Sequence, residues 1–324
     1  MHRFILASLV FAAHANAAAA QTHWRAATEY PATAMPGEGL TTFARRLLEH
    51  SAGQIQVRPE FDGPGGLRSA TIPTAVQSGQ LAVGDSFAGA LAGLDPIFQL
   101  SSLPFLATTQ ADALRLYQAA RPAYAAAFAL RGQRLLYATP WPATGLWSQS
   151  AIDGPADLRG LAIRTYDATS TAALARAGAA ATELSFADAM PRLRDGSVRA
   201  VLSSGDGGAG RRLWEVTRHF TAVGYAMPLS FTTLGNATYD ALPETLQRAT
   251  DQAAADTENA QWSALVERTV RNYATMRANA VEIHEPSPAL SAALRQAGDT
   301  IVADWMATAG PAAAIVTAYR RPSN

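Results

Sequence analysis

The 324-residue sequence has no cysteine, which excludes disulfides, thiolate metal sites and thiol nucleophiles. Lysine is missing too, so all 26 basic side chains are arginine and no lysine Schiff base is available. Neither sign of charge is in excess, with 26 basic residues against 26 acidic ones. No basic field is offered to nucleic acid or to anionic membranes, and a nucleic-acid partner is not expected. A composition of 48% hydrophobic and 16% charged residues is that of a globular chain. Long apolar runs are scarce. The one near the N-terminus, Phe4 to Ala13, follows Arg3 and precedes Ala18-Ala19-Ala20. That order reads as a cleaved export signal over residues 1–20, because an apolar stretch of about ten residues is too short to span a membrane that needs roughly 20. The mature chain is expected to work outside the cytoplasm, in a periplasm.

What is present is an alternation of strand and helix. Trp24 to Glu29 and Gln54 to Phe61 suit strands, and between them Gly37 to His50 carries Phe43, Leu47 and Leu48 at helical spacing. A helix near Ser69 to Ser78 and a strand from Leu81 to Ser86 complete a first unit. The rhythm restarts after a helical stretch from Ala111 to Leu130, with strands over 135–139, 145–149, 161–165 and 197–203 and helices over 170–177 and 186–193. Two such units imply two lobes, each with a largely parallel sheet covered by helices. From Leu242 to Ala278 there is no glycine, and no proline after Pro243, while Leu246, Trp262, Leu265 and Val266 recur at helical spacing. A helix of that length can tie both lobes together.

Signals for catalysis are weak. Gly84-Asp85-Ser86 resembles the start of a serine esterase motif, but Val281 stands where such an enzyme needs an aspartate three residues before its histidine, His284. His23, His50, His219 and His284 are isolated and show no i, i+3 or i, i+4 pairing, so neither a metal nor another cofactor is expected. Gly205-Asp206-Gly207-Gly208-Ala209-Gly210 lacks the lysine and hydroxyl of a nucleotide loop, and its acidic residue opposes phosphate, so it reads as a turn connecting the lobes.

Five segments in order resemble the solute-binding proteins of tripartite ATP-independent periplasmic (TRAP) transporters. They are Pro36 to Ala44, Val76 to Leu81, Leu103 to Leu106, Ala156 to Arg164 and Asn236 to Pro243. The resemblance covers essentially all of the mature chain. It implies an α/β Venus-flytrap fold of the periplasmic-binding-protein kind, with lobe I over 21–141 plus 230–269 and lobe II over 142–229 plus 270–324. It implies a monomeric receptor for a small organic carboxylate that docks on TRAP membrane permease subunits and performs no chemistry itself. Arg164, which closes the pattern Asp157-Leu158-Arg159-Gly160-Leu161-Ala162-Ile163-Arg164, is then the carboxylate contact. A guanidinium suits that role because its parallel donors match a carboxylate and it stays charged when desolvated; a structural pairing with Asp157 or Asp167 is the alternative.

Ser203 and Ser204 stand where relatives place a polar contact, often asparagine, and Thr144 where some carry a second arginine. Phe87, Trp141, Trp147, Tyr166 and Phe231 fall near strand ends that should face the cleft, giving an apolar pocket, with lobe core as the competing role for each. Asn236 is expected to brace a strand-to-helix turn. Two other functions compete: an exported hydrolase on this scaffold, or a receptor for another uptake system or a chemoreceptor.

Overall fold

The computed structural model describes residues 21–321; the expected export signal lies outside the described residues. The chain opens with β1 (Thr22–Ala27), α1 (Met35–His50), β2 (Ile55–Glu60), α2 (Ile72–Gln77) and β3 (Val83–Phe87), the strand, helix, strand, helix, strand order that the pattern predicts. Leu40, Phe43 and Leu47 of α1 are fully buried at spacings of three and four, whereas Leu48 lies on the exposed side. After α3 (Gln110–Ala129) and β4 (Gln133–Pro140) the chain passes into β5 (Thr144–Ser148), β6 (Ala162–Thr165), α4 (Ala168–Arg176), β7 (Ala180–Glu183), α5 (Phe186–Arg194), β8 (Ala200–Ser204), α6 (Gly205–Gly210) and β9 (His219–Thr221). It returns through β10 (Leu229–Gly235) and α7 (Asn236–Asp240), then runs along α8 (Glu244–Ala278) to β11 (Glu282–His284), α9 (Pro288–Thr308) and α10 (Ala312–Tyr319).

The strands form two sheets, ordered β2-β1-β3-β10-β4 and β11-β9-β5-β8-β6-β7. Each is mixed rather than purely parallel. β10 runs antiparallel between β3 and β4 in the first, and β5 runs antiparallel between β8 and β9 in the second. The antiparallel strands belong to the two passages between lobes, residues 141–143 and 222–228. Those passages are bonded to each other: Trp141 N donates to Pro228 O, Thr144 N to Ala226 O and Tyr225 N to Thr144 O, each at 2.9 Å.

The third crossing is α8, about 52 Å long at 1.5 Å per residue. Leu246, Ala249 and Ala253 pack beneath the first sheet with Trp24, Phe43 and Val83. Trp262 and Leu265 join the cluster around α3, and Met276 packs with Trp147 and Phe220 in the second lobe. Val266 points to solvent instead. Two expectations need correction. Residues 270–324 do not all stay with the second lobe: Leu290 and Leu294 pack there, but Trp305, Ala312 and Val316 enter the core around α3 of the first. The glycine-rich segment 205–210 does not connect the lobes: it is a largely buried helix that joins β8 to β9 of the second sheet. Ser204 caps it by accepting from Gly207 N at 3.1 Å. The lack of a side chain at Gly208 lets it lie close to its neighbours, since a Cβ there would sit 2.1 Å from the Trp147 ring.

Candidate functional site

In open α/β sheets ligands sit beyond the carboxyl ends of the strands, and here those ends from both lobes face one another. The close of β3, the passage after β4, the closing residues of β6 and β8, and the start of β5 surround a cavity of about 30 Å³, well below the roughly 300–1,000 Å³ usual for ligand pockets. Tyr30, Phe87, Trp141, Phe186 and Pro228 form apolar walls, and Thr144, Arg164, Tyr166, Ser203, Ser204 and Gly207 supply the rest.

Arg164 and Tyr166 are two residues apart at the end of β6, so both side chains leave the same face. Arg164 is only 4% exposed. Its Nε donates to Leu184 O at 2.8 Å and its Nη1 to Leu202 O at 3.3 Å, while the Phe186 ring lies 4.9 Å away against its face. Ser185 starts α5 at the right point for this stacking, accepting from Asp188 N at 3.1 Å. Among the described residues no carboxylate lies within ion-pairing distance of Arg164. Neither structural partner the sequence offered pairs with it, although the buried Asp167 Oδ2 has no hydrogen-bond partner of its own among the described residues. Asp157 accepts from Asp153 N and Gly154 N, and Asp167 caps α4 by accepting from Ser170 N at 2.8 Å and from the Thr169 and Ser170 hydroxyls.

Burial pulls the Arg164 pKa below its ordinary value, partly offset by the Glu29 and Asp167 carboxyls nearby. A guanidinium nevertheless stays protonated at neutral pH. The site therefore holds a desolvated positive charge that no carboxylate among the described residues pairs directly, so an entering anion finds an unpaired partner. Burial raises the Tyr30 and Tyr166 hydroxyls well above their usual range, so both remain neutral donors. Tyr166 Oη lies 3.4 Å from Thr144 Oγ1, and Ser203 Oγ makes no hydrogen bond among the described residues.

Of the residues singled out from sequence, Arg164, Thr144, Phe87, Trp141, Tyr166, Ser203 and Ser204 meet at this cavity. Trp147 and Phe231 do not. Trp147 stands three residues along β5 from the cleft end, fully buried against Phe220 at 5.2 Å between ring centroids, with Nε1 donating to Ser204 O. Phe231 packs among Phe98, Tyr124 and Phe128. Asn236 opens α7 far from the cavity, its N–H donating to Gly132 O. The sequence reading missed Tyr30, Phe186, Gly207 and Pro228; the strand-end rule would have found Tyr30, three residues beyond β1.

The lobes touch around the cavity. Asp206 of α6, 1% exposed, accepts from Met35 N at the start of α1 (2.9 Å), from Asn272 Nδ2 (3.2 Å) and from Arg268 Nε of α8. Arg268 also pairs with Glu38 at 2.8 Å and donates to Thr33 O. Arg211 reaches across to Asp62 at 3.0 Å and Glu29 O at 2.6 Å, and Arg68 to Asp188 at 3.4 Å. No helix among the described residues is long and apolar enough to cross a membrane.

Residues 26–308 match the family model described as bacterial extracellular solute-binding protein, family 7. A solute-binding protein of Verminephrobacter eiseniae is 23% identical over 279 residues, covering 82% of this chain and 80% of that protein. Among solved structures, a Bordetella pertussis extracytoplasmic solute receptor that binds pyroglutamic acid is 26% identical with a TM-score of 0.89, covering 93% of this chain and 100% of that one. A marine metagenome TRAP solute-binding protein with co-purified pyroglutamate is 28% identical with a TM-score of 0.87, covering 93% of this chain and 99% of that one.

Proposed function

The chain belongs to family 7 of the bacterial extracellular solute-binding proteins, and from that premise we propose that it captures a small monocarboxylate with a compact body, of pyroglutamate's class, and delivers it to a TRAP permease. The observation that carries this reading is the buried Arg164 without a counter-ion. A ligand carboxylate supplies the missing charge, and exclusion of water strengthens the pair. One guanidinium in the cavity argues for one carboxylate, and the small volume argues for a compact body. The aromatic walls hold that body by its faces, while Thr144, Ser203 and the Tyr166 hydroxyl offer hydrogen bonds to a polar edge such as a lactam. The pyroglutamate receptors of similar fold support this ligand class.

Capture proceeds by hinge closure across the two passages and α8, and the closed, monomeric protein presents the ligand to the permease in the periplasm. It performs no reaction: the family and the receptors of similar fold bind solutes, and Arg164 binds an anion rather than transferring a proton. A thermal-shift screen over organic acids tests the proposal. Ligand at about 100 times its dissociation constant adds roughly 2.7 kcal/mol, so pyroglutamate or a near analogue should raise the melting temperature by several degrees. If no carboxylate shifts it, the proposal fails.

A further inference from the structure

His219 and His284 are 65 residues apart in sequence, yet their side chains meet. The parallel register of β9 and β11 sets Glu282 beside His219, so both side chains rise from one face, and His284, two residues past Glu282, returns to it. His219 Nδ1 lies 3.1 Å from His284 Nε2 and 3.7 Å from Glu282 Oε2, and His284 Nε2 lies 3.8 Å from that same oxygen. Three atoms at these separations lie on a circle of radius about 2.1 Å, which is the bond length of zinc to imidazole nitrogen or carboxylate oxygen. The two rings are close to parallel, 24° apart. Neither histidine has another partner among the described residues, and the Glu282 side chain is 68% exposed, leaving a path for an ion and room for water in the remaining coordination position.

We propose that His219, Glu282 and His284 form a binding site for a divalent transition metal of zinc's class. Two imidazoles and one carboxylate favour such an ion over calcium or magnesium, which prefer all-oxygen shells. The site is separate from the ligand cavity: β9 pairs with β5 so that His219 stands opposite Ser148, at the far end of β5 from Thr144. A metal there pins β11, where the chain returns from α8, to the edge of the second sheet. Both strands are only three residues long, so this edge gains most from a cross-link.

Calorimetric titration of zinc chloride into untagged, chelator-stripped protein should give one ion per chain, unaffected by millimolar magnesium or calcium. His219→Ala and His284→Ala should each weaken binding by about 100-fold or more, and Glu282→Gln, at an exposed position that folding tolerates, should weaken it measurably. His50→Ala should change nothing. In place of zinc, cobalt(II) should give the visible absorption of a low-coordinate site, lost in the histidine variants. Pyroglutamate binding should be the same in wild type and Glu282→Gln, so this test stands apart from that of the cavity. Absence of one-to-one zinc binding, or zinc binding that survives both histidine substitutions together, would overturn the proposal.

Discussion

Replacing Asp206 by alanine should destabilise the protein far more than its position on a short glycine-rich turn suggests. The carboxylate is 1% exposed and accepts from three donors on two elements: Met35 N of α1, and Asn272 Nδ2 and Arg268 Nε of α8. Its removal leaves Arg268, itself 8% exposed, and the first amide of α1 without that acceptor. Breaking a buried pair from one side costs about 3–5 kcal/mol; because Arg268 keeps Glu38 and Thr33 O, the low end, about 3 kcal/mol, is expected. For a chain of this length that is a fall of about 6 °C in melting temperature, at roughly 2 °C per kcal/mol. Urea unfolding followed by circular dichroism measures it. Asp188→Ala is the control, since it removes the half-exposed bridge to Arg68 at 3.4 Å, worth about 1 kcal/mol or less. If Asp206→Ala loses no more stability than Asp188→Ala, the junction of α1, α6 and α8 does not hold the lobes as described.

Three further outcomes follow from the same packing. Burial pushes the Asp85 carboxyl up to about 7, against the Thr28 and Thr232 hydroxyls that favour its charge. A carboxyl raised on folding binds its proton more tightly in the native state. Its contribution therefore weakens stability as pH rises from about 4 to about 7, by at most about 4 kcal/mol, so Asp85→Asn should gain on wild type between pH 5 and pH 8 in urea titrations; a constant difference would exclude this. Trp141 lines the cavity whereas Trp147 is sealed in the core, so ligand should alter tryptophan emission in wild type and in Trp147→Phe but much less in Trp141→Phe. Gly208→Ala should cost about 1–3 kcal/mol through collision with Trp147, and a loss under about 0.5 kcal/mol would mean that the ring can move aside.

The strand and helix alternation of the first unit was legible because α1 and its neighbouring strands bury one face and leave the other wet. The length of α8 was legible from its freedom from breakers. Other features were hidden for physical reasons. Every residue of β5 and β10 is buried, so alternation could not tell the cleft end from the core, and Trp147 and Phe231 looked like pocket walls. The helix at 205–210 runs against glycine's poor helix propensity; tertiary contacts leave no room for a side chain at Gly207 or Gly208, while the Asp206 carboxylate ties it to α1 and α8. The His219 and His284 pair escaped because helical spacings were tested, whereas the contact is made across a parallel strand register. Arg164 was found through its motif; its lack of a counter-ion could come only from seeing where Asp157 and Asp167 point.

The most direct test of carboxylate capture by Arg164 is calorimetry on a matched pair, pyroglutamate and its neutral amide, with wild type and Arg164→Gln. A charge-assisted bidentate bond of about 1.5–3 kcal/mol predicts that wild type prefers the acid by about 10- to 150-fold, and that Arg164→Gln loses most of that preference. Equal preference for the acid in both proteins would contradict the assignment of Arg164 as the anion's partner.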